Sequence, residues 1–309
     1  MSLPPTTTDD KPLVLLTGAT GYVGGLLLPL LEEQGTRVRC LARNPAKISC
    51  TQETTQVVRA DVLDPASLDE AMQGVRTAYY LVHLMSGSKD FEREDRQAAV
   101  NFAAAAKRAD VSRIIYLGGL GDDADPKLSP HLRSRHEVGD ILRQSGIETI
   151  EFRAGMVVGA GSLSFQLMKS LTDRLPVMLC PKWLSTLTQP IAVDDVLAYL
   201  LAAGELPAGA SRTFEIGCPD VVTYSDLIRM YARLKHLRRW LIFVPVLTPY
   251  LSGLWLALVT PASFEVGRHL IEGLKNPTVV QDRTALSVFS IRPMGVREAI
   301  EKATRSESL

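Results

Sequence analysis

Three glycines at intervals of three, in Thr17-Gly18-Ala19-Thr20-Gly21-Tyr22-Val23-Gly24, follow the apolar run Leu13 to Thr17 and precede a leucine-rich helical pattern. Such a turn can bind anions. Gly18 permits the tight turn, Gly21 lets the backbone approach a pyrophosphate, Gly24 allows close packing of helix on strand, and the helix N-terminus offers amides to phosphate oxygens. An ordinary glycine turn is the plainer reading, but here a strand precedes, a helix follows and a second strand arrives about twenty residues on, as a dinucleotide fold requires. That second strand ends Cys40-Leu41-Ala42-Arg43-Asn44-Pro45. It places an arginine, and no acid, where an acid would hold the ribose hydroxyls of NAD, and a guanidinium suits the additional phosphate of NADP. NADP(H) is therefore expected in preference to NAD(H), against the reading of Arg43 as a solvated loop residue.

Holding that turn in place requires a parallel sheet. From Pro12 to Phe152, short β-branched runs alternate with helical patterns, the mark of βαβ units. Candidate strands are Leu13 to Thr17, Arg37 to Ala42, Gln56 to Ala60, Ala78 to Val82, Arg113 to Leu117 and Glu148 to Phe152, with a later one at Arg212 to Ile216. Apolar residues recur at three and four in Ser67 to Gln73 and Asp95 to Ala109, which predicts helices on both sheet faces. Pro29 falls inside the first predicted helix, where it should kink or shift it. The expected fold class is α/β: a Rossmann-like doubly wound parallel sheet with a smaller, mainly helical C-terminal lobe on the substrate side. The expected division is a flexible tail at 1–11, an NAD(P)-binding Rossmann domain at 12–155 completed by 189–217, and a substrate-side lobe from 156–188 and 218–309.

These residues resemble the atypical and extended short-chain dehydrogenase/reductases, and more closely their NmrA-like branch. The resemblance covers about the first two-thirds of the chain. It rests on the glycine turn, Arg43, Asp61-Val62 after the third strand, Ser145-Gly146 before the sixth, and Pro190-Ile191-x-Val193-Asp194-Asp195-Val196. It implies that the turn from Gly18 through Thr20, Gly21, Tyr22 and Val23 to Gly24 contacts the cofactor and that Asp61 and Val62 lie beside the adenine. It also implies that Leu81, Val82 and His83 border a ribose, and that Arg153 to Val157 pass near the nicotinamide.

Such enzymes are also expected to carry a hydroxyl after the fifth strand and a tyrosine four residues before a lysine, which move a proton and hold the reacting oxygen. Here the hydroxyl position reads as glycine, in Tyr116-Leu117-Gly118-Gly119, and counting back from Ser145-Gly146 puts Arg135 at the lysine position and His131 at the tyrosine position. The two lie one helical turn apart and should share a face. Either arginine binds ribose while histidine, titrating near neutrality, donates a proton, or arginine binds ribose or the helix surface and histidine merely caps or packs. Arginine cannot be the base, because it stays protonated. His83 is the second candidate acid, alongside the reading of an edge histidine satisfied by backbone. A literal Tyr-x-x-x-Lys at Tyr231 and Lys235 lies too late in the chain and reads as coincidence, and Asp194-Asp195 reads as a helix cap and first-turn charge.

Composition narrows the remaining classes. With 34 basic and 34 acidic residues the net charge is zero, and no overall field favours nucleic acid as a partner. Cys40, Cys50, Cys180 and Cys218 lack metal-ligand spacing and read as reduced thiols, so no metal site is expected. Met1 to Lys11 fits neither a secretory signal nor an anchor, which makes cytoplasmic the expected location. Residues 240–259 contain no charge but do contain Pro245 and Pro249, which argue against a straight span. The readings are a pocket wall for an apolar small-molecule substrate, a subunit contact in an oligomer, or contact with a membrane surface. The leading expectation is an NADP(H)-dependent oxidoreductase acting on a hydrophobic carbonyl, quinone or enone. Its rival is a non-catalytic NADP(H)-binding sensor or scaffold, and nucleotide-sugar epimerase or dehydratase chemistry ranks third.

Overall fold

The computed structural model describes residues 11–48, 52–84, 90–244 and 273–306. Seven strands form the central sheet: β1 (Leu13–Thr17), β2 (Arg37–Ala42), β3 (Thr55–Arg59), β4 (Val75–Tyr80), β5 (Arg113–Gly119), β6 (Glu148–Ala154) and, after four short strands, β11 (Arg212–Ile216). The short strands are β7 (Val157–Val158), β8 (Val177–Cys180), β9 (Leu187–Thr188) and β10 (Ile191–Ala192), and β12 (Val222–Thr223) and β13 (Trp240–Phe243) follow. The sheet order is β11-β6-β5-β4-β1-β2-β3, and every neighbouring pair is parallel. Winding runs outward in both directions from β1 and β4. The strand order therefore reverses between these two, which opens a crevice at their carboxyl ends.

The sequence pattern accounts for the layers. β1 is buried at every position, as a strand covered on both faces must be. On one face α1 (Tyr22–Glu33) and α6 (Val193–Gly204) bury Leu27, Leu28, Leu31, Val196 and Leu200 against Leu16, Ile115 and Phe152. On the other, α2 (Pro65–Met72), α3 (Phe91–Arg108) and α4 (Pro130–Gln144) cover Leu15, Ala78, Tyr80 and Ile114 with Leu68, Phe102 and Val138. A third apolar cluster joins α5 (Leu163–Arg174), α7 (Tyr224–Leu234) and the last helix, Val296–Ser306, around Phe165, Tyr231 and Ile300.

Several boundaries depart from the pattern. β4 begins at Val75 and ends at Tyr80, because the amide of Leu81 leaves the ladder and donates to the Thr17 hydroxyl at 3.0 Å. β3 starts one residue early and stops at Arg59. α1 runs unbroken through Pro29, although the ring removes one amide from its interior. The cap of α6 is Ala192 rather than an aspartate; Asp194 and Asp195 occupy its first turn, where Asp195 accepts from the amide of Met294 at 2.8 Å and Asp194 pairs with Lys302. Cys180 and Cys218 are buried free thiols, Cys40 is buried, and Cys50 lies outside the described residues. Among the described residues no helix is long and apolar enough to cross a membrane, and most of the uncharged 240–259 run lies outside them.

Candidate functional site: a dinucleotide cleft meeting a histidine pair

The glycine turn is fixed by contacts that side chains would break. Gly18 has a φ of +72°, a left-handed conformation, and a Cβ there would stand 2.5 Å from the carbonyl oxygen of Leu81. A Cβ on Gly24 would stand 2.3 Å from the carbonyl oxygen of Gly18, so the first turn of α1 can lie against the loop only with glycine at that position. The amide of Gly21 closes the turn on Gly18 at 2.8 Å, and no side chain caps the start of α1. The amides of that first turn are thus presented to the crevice, where the positive end of the helix dipole favours an anion.

Beside the turn lies an open cleft of about 180 Å³. Gly18, Thr20 and Gly21 form one wall, Arg43 lies at the end of β2, Asp61 and Val62 follow β3, and Leu81, Val82 and His83 follow β4. Leu41, Ala42, Ala60 and Leu84, which carried no motif, complete the lining. Arg43 is exposed at the rim. Asp61 fixes its own loop, accepting from the amide of Leu63 at 3.0 Å, and the Val62 carbonyl accepts from Asn101 at 3.0 Å. The cradle therefore fits a dinucleotide: a small-residue approach for the pyrophosphate, apolar walls for the base and a cation at the outer end.

Two residues of the motif work from behind. Val23 packs into the apolar face under α1. The Tyr22 ring lies over Gly159 and Gly161, where added Cβ atoms would fall 2.1 Å from its hydroxyl and 2.6 Å from its ring. Burial raises the Tyr22 phenol above its ordinary pKa, opposed by a hydrogen bond with the Gly161 backbone.

At its inner end the cleft meets a chain of hydrogen bonds. His131, in the first turn of α4, points its Nε2 at the Nε2 of His83, 3.0 Å away, and the Nδ1 of His83 meets Asp95 Oδ2 at 3.2 Å. Asp95, on α3, has a side chain only 2% exposed. It also accepts from the Ser134 hydroxyl at 2.9 Å and from the Leu84 amide at 3.0 Å. Burial alone would raise its pKa, but the hydrogen bond from His83, the Arg135 charge and the Leu84 amide together hold it below the ordinary carboxylate value. Burial, reinforced by the Arg135 charge, lowers His83 despite Asp95. Because Asp95 can only accept, a proton belongs on His83 Nδ1, and in the neutral imidazole that burial favours the Nε2 lone pair is left to accept from His131.

Asp95 was not singled out in the sequence, yet it had a signal. It lies four residues after Phe91 and three and four before Ala98 and Ala99, an acid on the buried stripe of its helix.

Arg135 stands below this chain. Its guanidinium donates to the carbonyls of Val82 at 3.3 Å and Leu117 at 2.5 Å and lies 5.0 Å from the Tyr116 ring centre, tying the ends of β4 and β5 together. It does not line the cleft, and its described hydrogen bonds go to backbone rather than toward a ribose position. Arg153 also departs from expectation, since its guanidinium bridges Glu151 at 2.9 Å and Asp123 at 2.7 Å instead of bordering the cleft. Glu151 is fully buried, pairs with Arg143 as well, and occupies the space that a side chain on Gly139 would need. The same Asp123 contacts His136, whose Nε2 donates to the Gly119 carbonyl at 2.9 Å. Tyr231 is buried in the third apolar cluster and donates to Asp173 at 3.0 Å, outside the cleft. No group of three or more metal-ligating side chains occurs among the described residues.

A family profile described as NAD(P)H-binding matches residues 18–169, the span that builds this cleft. A ceramide reductase from Caulobacter vibrioides is 27% identical over 269 residues, covering 84% of each chain. A (4-alkanoyl-5-oxo-2,5-dihydrofuran-3-yl)methyl phosphate reductase from Streptomyces griseus is 32% identical over 227 residues, covering 72% of this chain and 73% of its own. Among solved structures, the triphenylmethane reductase of a Citrobacter species superposes with a TM-score of 0.74 at 18% identity, covering 95% of this chain and 99% of that one, and so shares the fold. With a reductase at this identity and coverage, and with the dinucleotide cradle intact, the chain belongs to the NAD(P)H-binding, reductase-like proteins of the atypical short-chain dehydrogenase/reductase superfamily.

Proposed function

We propose that this protein is an NADP(H)-dependent oxidoreductase that reduces a carbonyl or conjugated double bond of a largely apolar small molecule. One observation carries the proposal: His83 belongs both to the lining of the cleft and to the chain of hydrogen bonds from His131 to buried Asp95. A bound nicotinamide supplies the hydride. The side chains have the other half of the reaction, because carbonyl oxygen gains negative charge as hydride arrives and needs a proton. Asp95 keeps the His83 proton on Nδ1 and leaves its Nε2 open, so a proton passed from His131 to that Nε2, balanced by the Asp95 charge, would stand in the cleft lining for transfer to the carbonyl oxygen. Arg135 braces the strand ends that carry these groups and takes no part in proton transfer, since a guanidinium keeps its protons.

Preference for NADP(H) rests on Arg43 at the rim and on the absence of an acid at the end of β2. The apolar substrate class is supported by relatives named for ceramide reduction and for reduction of an alkanoyl-bearing furanone phosphate, and by the fold neighbour named for triphenylmethane reduction.

The test is turnover by purified protein of NADPH against a panel of long-chain ketones, quinones and enones, followed by loss of reduced-nicotinamide absorbance. Turnover that disappears in His131→Ala, with NADPH affinity unchanged, is expected. Stoichiometric NADPH binding without turnover of any compound would instead favour the sensor reading, for which glycine in place of the hydroxyl after β5 leaves room.

A further inference from the structure

Away from the cleft, two short strands leave one face open. β8 and β13 pair in parallel, with Val177 beside Trp240 and Leu179 beside Ile242. Strand alternation sends Met178 and Cys180 into the third apolar cluster, at 1% and 0% exposure. It turns Val177, Leu179, Trp240 and Ile242 outward, at 49%, 50%, 71% and 50%. Four large apolar side chains on adjacent strands make a contiguous patch rather than the scattered exposure ordinary to surfaces.

The surroundings of the patch are cationic. Segments 169–187 and 233–243 carry seven lysines and arginines and one acid, Asp173, in a chain whose net charge is zero. Asp173 is already engaged by Lys169 and the Tyr231 hydroxyl. Arg239 folds inward and donates to the carbonyls of Thr172 and Asp173, which fixes the start of β13 beside the end of α5. Arg238, two residues before Trp240, and Lys182, two residues after Cys180, are exposed at opposite ends of the strand pair.

We propose that this face docks on an anionic lipid bilayer, with Trp240, Ile242 and Leu179 at the headgroup boundary and Arg238 and Lys182 on lipid phosphates. Tryptophan favours that boundary because its ring is amphipathic. Shallow apolar insertion and a few cations are each weak anchors, and together they hold a protein on a charged leaflet. Among the described residues these side chains, with the neighbouring Phe243 at 45%, make a patch smaller than the roughly 800 Å² per partner that a standard protein interface buries, and the core of such an interface is depleted in charge. The contact is peripheral and independent of the reductase reading.

The full chain should co-sediment with vesicles of mixed phosphatidylcholine and phosphatidylserine but not with phosphatidylcholine alone, and added salt should release it. Arg238→Glu and Lys182→Glu should each weaken binding about fivefold or more, since one cation near a charged leaflet contributes about 1 kcal/mol. Ile242→Asp should abolish binding while the thermal midpoint is kept. If that variant does not fold, the two charge reversals, on exposed side chains, carry the test alone. Absence of wild-type binding to the mixed vesicles, or charge variants that bind as wild type does, overturns the proposal. So does a dimer, seen by light scattering, that Ile242→Asp converts to monomer, because the patch would then be a self-interface.

Discussion

His83 and His131 face each other through their Nε2 atoms at 3.0 Å, and only one of the two nitrogens can carry the proton between them. Which one does is decided at the far side of His83, where a carboxylate can only accept. The site's polarity is therefore set by Asp95, a residue buried in the helix behind it.

Asp95→Asn is expected to reverse that polarity. The amide oxygen can keep the Leu84 amide, leaving the NH₂ group to face His83 Nδ1, so the imidazole must move its proton to Nε2, against His131. Nitrogen-15 shifts of His83 should report the exchange of tautomer, and turnover should fall on the order of 100-fold or more with NADPH affinity intact. An unchanged tautomer in the variant would remove Asp95 from this role.

Arg43→Ala should weaken NADPH binding about tenfold or more and leave NADH binding where it was, because an exposed guanidinium at the rim discriminates only through the additional phosphate. Calorimetric titration of both nucleotides measures this. Equal losses for the two would assign Arg43 to the loop rather than to the phosphate.

Glu151→Ala tests the buried ion network. Removal of the carboxylate leaves Arg153, 6% exposed, with Asp123 alone and takes a partner from Arg143. Breaking a buried pair in this way typically costs about 3–5 kcal/mol, measurable by urea unfolding. A loss below about 1 kcal/mol would mean that water already reaches the pair.

Stability should fall with acid in two stages. His83 is depressed in the folded state, so below the ordinary histidine value of about 6.5 the unfolded chain takes a proton that the folded chain refuses, and stability declines as pH drops toward the folded value. Asp95 is also depressed; its contribution is complete above about 4 and is lost as pH falls through its folded value. Thermal midpoints between pH 7.5 and 5 should therefore fall less in His83→Gln than in wild type, and parallel slopes would show that His83 is not the titrating group.

The sheet was legible where periodicity and β-branching agree. β1, β2 and β11 lie where their apolar runs begin and end, whereas β4 stops short of Leu81 and Val82, which look like strand residues, because the Thr17 hydroxyl takes Leu81 out of the ladder. Two-residue strands such as β7 and β12 carry no period to read. That the glycine turn, Asp61 and Arg43 line one cleft was readable because a tight turn and the ends of parallel strands call for particular residue types at fixed intervals. Arg135 follows from its count back from Ser145-Gly146 and Arg153 from the family resemblance, but long side chains choose partners in three dimensions, and both turn to groups within the fold. Asp95 is hidden among Glu92, Arg93, Glu94 and Arg96, because a charge run is ordinarily a solvated face.

Tyr22 opens the helix whose amides face the crevice, and its ring rests in hollows left by Gly159 and Gly161, just ahead of α5. A side chain at either glycine would push that ring aside and so reach the anion-facing turn from the opposite side of the helix.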